Sequence, residues 1–379
     1  MNKLELQLNK IHCGDNVEVM KTFPADSVDL VVTSPPYWGL RDYGTGDNQL
    51  GMESHPQMFI DHLVEIFREV KRILKTSGSF WLNLGDTYHG GRRKHTVPQS
   101  INEERTSFWS ERNVIPNRNL PDDGGWLQPK QKLMMPHRVA IALQDDGWIL
   151  RNDVIWHKPN HMPESVRDRL TKSYENFFFF VKSRKYFFDL DSIREPYAES
   201  SIQRLTQPSI MSQMGGNKQE ELYGSAPGNG NRPADILKGL SKKHTKHDLA
   251  VGRTGDGFSY TDSLHEKPNH VNGKNPGDMW SITTQPFPGS HFAVFPPKLI
   301  EPIIKAACPV DGVVLDPFAG SGTALRVARK LGRSFIGIEI NPEYAKMCES
   351  RVRGDKYTPP PEGVPILSTF SKSLRTNQE

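Results

Sequence analysis

Residues 28–32 are almost wholly apolar, with Val28, Leu30, Val31 and Val32, and the run stops abruptly at Thr33, Ser34, Pro35 and Pro36. A short apolar run bounded by turn residues predicts a buried strand, here one that delivers the tetrad to a sheet edge. Phe59, Leu63, Ile66, Phe67, Val70, Ile73 and Leu74 then recur at helical spacing. That spacing predicts a helix over one sheet face, capped by Ser54 and closed by Thr76, Ser77 and Gly78. Residues 79–84 (SFWLNL) predict another buried strand, whereas about 87–130 is polar, rich in Gly, Arg and Asn, and weakly periodic. Regular patterning resumes with a helix over 136–144, a strand over 148–156 and a very apolar strand over 176–181 (NFFFFV), the two strands reading as central.

From about 191 to 285 the composition shifts to Gly, Asn, Ser, Lys and His, in segments such as SAPGNGNRP and SKKHTKHD that cannot easily build a core. This reads as an inserted region. The chain then returns to α/β alternation: a helix over 297–307 that Pro302 should kink or restart, a strand over 313–315, a glycine turn, a helix over 323–331 and a strand over 334–340. Asn341 and Pro342 are suited to cap and start a last helix, to about residue 352. The tail, 354–379, is expected to be disordered.

Composition narrows the classes. The 379 residues suffice for one large α/β domain with a substantial insertion, and the net charge of +4 permits nucleic-acid binding without demanding it. No apolar run is long enough to span a bilayer and the first ten residues lack a signal-peptide core, so a cytoplasmic protein is expected. Cys13, Cys308 and Cys348 lack paired spacing, which argues for reduced thiols and against disulfides or zinc. His244 and His247 have no partner ligands in pattern, so no metal is expected.

The strand over 313–315 runs into Asp316, Pro317, Phe318, Ala319, Gly320, Ser321, Gly322 and Thr323 and then a helix, the arrangement of nucleotide-binding sheets. Gly320 and Gly322 allow a ligand to approach the backbone. Glu339, at the end of the next strand, stands where an acid can hold ribose hydroxyls. The turn carries Leu325 where a dinucleotide fingerprint needs a third glycine, and a carboxylate such as Asp316 can meet an ammonium group, so S-adenosylmethionine is favoured over NAD. Only 66 of the 379 residues follow residue 313, too few for a whole sheet. The remaining strands must come from the N-terminal half, which makes the order permuted.

Ser34, Pro35, Pro36 and Tyr37 suit methylation of an aromatic amine. The Ser34 hydroxyl and Pro35 carbonyl can hold both N–H bonds and free the nitrogen lone pair, while Tyr37 can stack an extruded base. Thr33 to Tyr37 resembles the TSPPY motif of amino-group DNA methyltransferases, and Asp316 to Thr323 resembles their cofactor motif. Their order resembles the beta class of that family. The resemblance implies a permuted Rossmann-like methyltransferase sheet with helices on both faces, plus an inserted irregular target-recognition region. Its parts are a catalytic half (1–190), the recognition region (191–285) and a cofactor half (286–353).

By the same resemblance Gly14 and Asp15 match a motif whose acid contacts the adenine of the cofactor, residues 148–160 and 172–182 match later conserved strands, and 291–297 flanks the methionine moiety. Ser34 after Thr33 is the form associated mainly with cytosine N4, adenine N6 being the alternative. No cysteine has the context for covalent C5 chemistry. Double-stranded DNA is the implied partner, and a cognate restriction endonuclease is a further candidate. Competing readings are a methyltransferase of RNA or protein amides, and a DNA-binding protein without catalysis. Asp86 is a candidate proton acceptor or a helix cap. Trp38, Arg41 and Tyr43 are candidates for a loop over the base or for packing beside the strand end. Arg92, Arg93 and Lys94, and the 242–247 basic run, are candidate phosphate contacts or solvated surface.

Overall fold

A computed structural model of the chain describes residues 6–39, 49–89, 127–200, 203, 272–285 and 295–355. The chain divides into two compact units, Met1–Phe188 with Asp278–Glu379, and Asp189–Gly277. The first holds an eight-stranded sheet in the order β1-β8-β7-β2-β3-β5-β4-β6. In chain order its elements are β1 (Lys10–Cys13), α1 (Asn16–Lys21), β2 (Val28–Thr33), α2 (Pro56–Ile73), β3 (Leu74–Leu84), α3 (Met135–Asp145), β4 (Ile149–His157), β5 (Tyr174–Val181), β6 (Met279–Ser281), α4 (Pro297–Ala307), β7 (Val313–Asp316), α5 (Thr323–Lys330), β8 (Ser334–Glu339) and α6 (Pro342–Arg353). Strands β1, β8, β7, β2 and β3 run parallel, and β5 pairs antiparallel with both β3 and β4.

Both sheet faces are covered, and alternation along the strands divides the core. Phe178 and Phe180 join Val31, Phe80 and Leu315 under α2 and α3. Phe177 and Phe179 join Leu30, Val32, Trp81 and Val314 under α4, α5 and α6. An unbroken aromatic run is what a strand buried on both faces requires. Fully burying one such ring contributes about 1.5–3 kcal/mol.

Several boundaries differ from expectation for identifiable reasons. Helix α2 starts at Pro56, and its cap is His55, whose Nδ1 accepts from the Gln57 N–H at 3.1 Å, so Ser54 lies outside it. Thr76, Ser77 and Gly78 belong to β3, because Leu74 already pairs with Val28. Pro302 sits inside α4, which starts at Pro297 as expected. Strand β4 is second from an edge, not central, and Arg151 and Asn152 are exposed on it. Strand β1 is too short and polar to show in the pattern, and β6 comes from the stretch read as irregular; each is held by backbone pairing to a longer neighbour. Asn341 caps α6 as expected, accepting from the Glu343 and Tyr344 N–H groups. Among the described residues no helix is long and apolar enough to cross a membrane. The tail beyond residue 355 lies outside the described residues.

Candidate active site

The crossovers from β2 and β7 leave the sheet in opposite directions, α2 covering one face and α5 the other. Adjacent parallel strands whose crossovers diverge open a crevice at their carboxyl ends, where open α/β sheets bind ligands. Residues from the two ends of the chain meet there: Thr33, ending β2, donates its hydroxyl to Asp316 Oδ1, ending β7, at 2.6 Å. The same oxygen accepts the Phe318 N–H at 3.1 Å. Asp316 is only 2% exposed, and burial pushes its carboxyl up to about 7 against the pull of those two donors.

A cavity of about 690 Å³ opens at this crevice, within the size range of ligand pockets, roughly 300–1,000 Å³. Asp15, Ser34, Pro35, Pro36, Tyr37, Pro317, Phe318, Gly320 and Glu339 all line it. Asp316, Gly322 and Thr323, of the same turn, are not among the lining residues. Gly322 has φ +75°, and a Cβ there would fall 2.5 Å from Cys348 Sγ, so only glycine lets the turn seat on α6. The missing third glycine of the turn is replaced from the other side: a Cβ on Gly337 of β8 would strike Leu325 Cδ1 at 2.5 Å.

On the cofactor side of the cavity, Gly320 N–H donates to Glu339 Oε2 at 2.8 Å and Asn341 N–H to Oε1 at 2.9 Å. Glu339 lines the cavity, and a carboxylate there fits a pair of ribose hydroxyls. Burial raises the Glu339 carboxyl above its ordinary value, opposed by these backbone donors. Asp15 caps α1 through Oδ1 on the Glu18 N–H at 3.0 Å and also borders the cavity. A glycine turn, an acid on the neighbouring strand and apolar Phe318 are a donor and acceptor set that fits an adenosine sulfonium.

On the other side the polar groups are linked. Ser34 Oγ lies 3.3 Å from Tyr37 Oη and 3.4 Å from Asn83 Oδ1. Tyr37 Oη lies 3.0 Å from both Asn83 Oδ1 and Glu175 Oε2. Asn83 donates Nδ2–H to the Asn176 carbonyl at 3.0 Å, which turns its oxygen toward the serine and tyrosine. Lys158 ion-pairs with Glu175 Oε1 and lies 4.1 Å from the centre of the Trp156 ring. Lys172 borders the cavity beside Glu175, and burial lowers it from the ordinary lysine range. The Tyr37 ring lies against Gly85, where a Cβ would come within 2.5 Å of Cε2.

Asn83, Gly85, Lys158 and Glu175 are not marked by any motif of the sequence. The available signal was a polar residue inside each buried strand: Asn83 in SFWLNL and Glu175 ahead of NFFFF. Asp86 acts as a cap, its Oδ1 accepting the Thr87 and Met135 N–H groups, with Lys132 3.6 Å from Oδ2. Trp38 is buried in the core and donates Nε1–H to the Glu53 carbonyl, so it packs instead of covering a base. Arg41, Tyr43, the 92–94 cluster, the 242–247 run and residues 291–294 lie outside the described residues.

A DNA methylase family profile matches residues 28–350. The Type II methyltransferase M.SfiI of Streptomyces fimbriatus is 35% identical over 395 aligned positions, covering 88% of each chain. The Type II methyltransferase M.XycI of Xanthomonas campestris pv. cyanopsidis is 37% identical over 341, covering 90% of this chain and 86% of its own. The PvuII DNA methyltransferase, cytosine-N4-specific, superposes with a TM-score of 0.51 at 17% identity, over 92% of this chain and 94% of its own, a likeness of fold.

Proposed function

The chain belongs to the N6/N4 DNA methylase family, and from that premise we propose that it transfers a methyl group from S-adenosylmethionine to the N4 amine of cytosine in double-stranded DNA. The observation that carries the reading is the single cavity shared by residues 34–37 and the turn around Gly320, joined behind by the Thr33–Asp316 hydrogen bond. Glu339, Asp15, Pro317, Phe318 and Gly320 hold the methyl donor, with Asp316, Gly322 and Thr323 supporting the turn. When bound, that donor supplies an electrophilic methyl on sulfur.

The remaining work falls to the chain's own residues. A cytosine amine is a weak nucleophile because its lone pair is shared with the ring. Ser34 Oγ and the Pro35 carbonyl accept its two N–H bonds, drawing the nitrogen toward tetrahedral geometry, while Pro35 and Pro36 keep the acceptors rigid. Tyr37 supplies a stacking face that offsets part of the few kcal/mol lost on extruding the base. Ser34, in place of an acidic residue or Asn, favours cytosine over adenine. The unit Asp189–Gly277 carries most of the proposed target-recognition region, and a cognate restriction endonuclease is the proposed partner in the cell.

The test is incubation of the protein with labelled S-adenosylmethionine and duplex DNA, followed by nucleoside analysis. N4-methylcytosine is expected. N6-methyladenine would reassign the base, and absence of any methylated nucleoside contradicts the reading. DNA affinity should fall steeply with salt as phosphate counterions are released, and a flat response would remove DNA as the partner.

A further inference from the structure

Methylating an amine leaves a proton to be disposed of: as the N–C bond forms and the C–S bond breaks, the nitrogen carries one hydrogen too many. We propose that this proton leaves through a relay, from the amine to Ser34 Oγ, from Ser34 to Tyr37 Oη, and from Tyr37 to the carboxylate of Glu175, its terminal acceptor. The inference rests on the amine-methylation reading above.

The argument is a count of protons. Ser34 Oγ, Tyr37 Oη, Asn83 Oδ1 and Glu175 Oε2 make four mutual contacts, at 3.3, 3.4, 3.0 and 3.0 Å. Only the two hydroxyls bring hydrogens to them, because the Asn83 oxygen and an ionised carboxylate are acceptors alone. The Asn83 amide cannot turn to supply one, since its Nδ2–H is committed to the Asn176 carbonyl. One phenolic hydrogen therefore faces two acceptors at equal distance, and the charged carboxylate is the stronger. Over these four contacts the acceptors outnumber the hydrogens, and a single added proton completes them. With Glu175 protonated, its O–H donates to Tyr37, Tyr37 donates to Asn83, and Ser34 is free to accept from the base.

Position agrees with this role. Ser34, Tyr37 and Glu175 all line the cavity, so the chain of contacts begins where the amine is held. The second carboxylate oxygen is ion-paired with Lys158, leaving Oε2 for Tyr37. The 3.3 Å step from Ser34 to Tyr37 is longer than an ideal O–H···O bond, and such contacts tighten when the substrate is seated. Asp86, just beyond β3, is committed to two backbone N–H groups. In the relay every proton moves one bond along: the amine hydrogen to Ser34, the Ser34 hydrogen to Tyr37, the Tyr37 hydrogen to Glu175, and both hydroxyls are regenerated.

The test compares wild type, Glu175→Gln, Tyr37→Phe and the double variant, measuring kcat, KM for DNA and cofactor affinity. Glutamine keeps the shape and a hydrogen bond to Tyr37 but is no base at working pH. The relay predicts that Glu175→Gln lowers kcat on the order of 10²-fold, with KM and cofactor affinity within about twofold. Tyr37→Phe keeps the stacking ring and should lose a similar factor, and the double variant should be no slower than the slower single. Glu175→Gln at the wild-type rate overturns the relay while leaving the methyltransferase reading intact. If Glu175→Gln fails to fold because Lys158 loses its partner, Tyr37→Phe decides: full turnover overturns the relay, and a kcat loss with unchanged KM supports it. A wild-type protein that methylates no base overturns both.

Discussion

Replacing Asp316 by Asn should remove most of a pH dependence that the wild-type fold carries between about pH 4 and pH 7. The side chain is 2% exposed, and burial lifts its carboxyl from the ordinary value of 3.8 to about 7. The sign follows from linkage. A carboxyl whose value is raised on folding contributes stability that is fully present below the unfolded value and is lost as the pH rises through the folded one. A rise of about three pH units, at about 1.4 kcal/mol each, makes the folded state about 4 kcal/mol less stable at pH 8 than at pH 4 on account of this one group. Asn keeps an oxygen to accept from Thr33 Oγ1 and the Phe318 N–H, the two bonds Asp316 makes. It also buries an NH₂ group, which costs roughly 1–3 kcal/mol if unpartnered, but that offset is independent of pH. The quantity to compare is therefore the slope. Urea denaturation of ligand-free protein at intervals from pH 4 to pH 8 should show wild type losing about 4 kcal/mol more than Asp316→Asn across the range. The buried Glu339 is also raised and supplies a residual slope common to both proteins. Parallel curves for the two proteins would refute the reasoning and show that the Thr33 and Phe318 donors hold Asp316 as a carboxylate at its ordinary value.

Gly322→Ala should destabilise the fold by about 2–5 kcal/mol in the same assay, because φ +75° disfavours a side chain and its Cβ would overlap Cys348 Sγ; an unchanged midpoint would mean that α6 moves aside freely. Gly85→Ala should press on the Tyr37 ring and lower kcat on the order of 10²-fold with cofactor affinity kept, and equal losses of both would place the damage elsewhere. Ser34→Ala should reduce kcat roughly 10- to 100-fold while sparing cofactor binding, whereas Glu339→Ala should weaken cofactor binding by a similar factor; identical cofactor affinities in the two variants, by calorimetry, would count against these assignments.

Most of the frame was legible in the chain because its causes are local. The run ending at Thr33, the turn from Asp316 to Thr323 and the Asn341–Pro342 cap each announce themselves within a few residues, since strand burial, a glycine turn and a helix start are short-range requirements. Chain length alone required a permuted order, and the sheet has it: β2 pairs with β7 from the far end of the chain. Local pattern failed where neighbours decide. Strand β1 exists because β8 offers it a backbone edge, and residues 76–78 read as a helix stop but lie inside β3, between its pairings with β2 at Leu74 and Ser79. The same limit applies to the chemistry. Ser34 and Tyr37 stand in one motif, but Asn83 and Glu175 reach them from β3 and β5, 46 and 138 residues from Tyr37. Sequence specified which groups could accept a ligand, because residue type and short-range spacing are enough for that. Only the folded sheet decided which acceptors share too few protons, because hydrogen-bond distance is a property of space and not of separation along the chain.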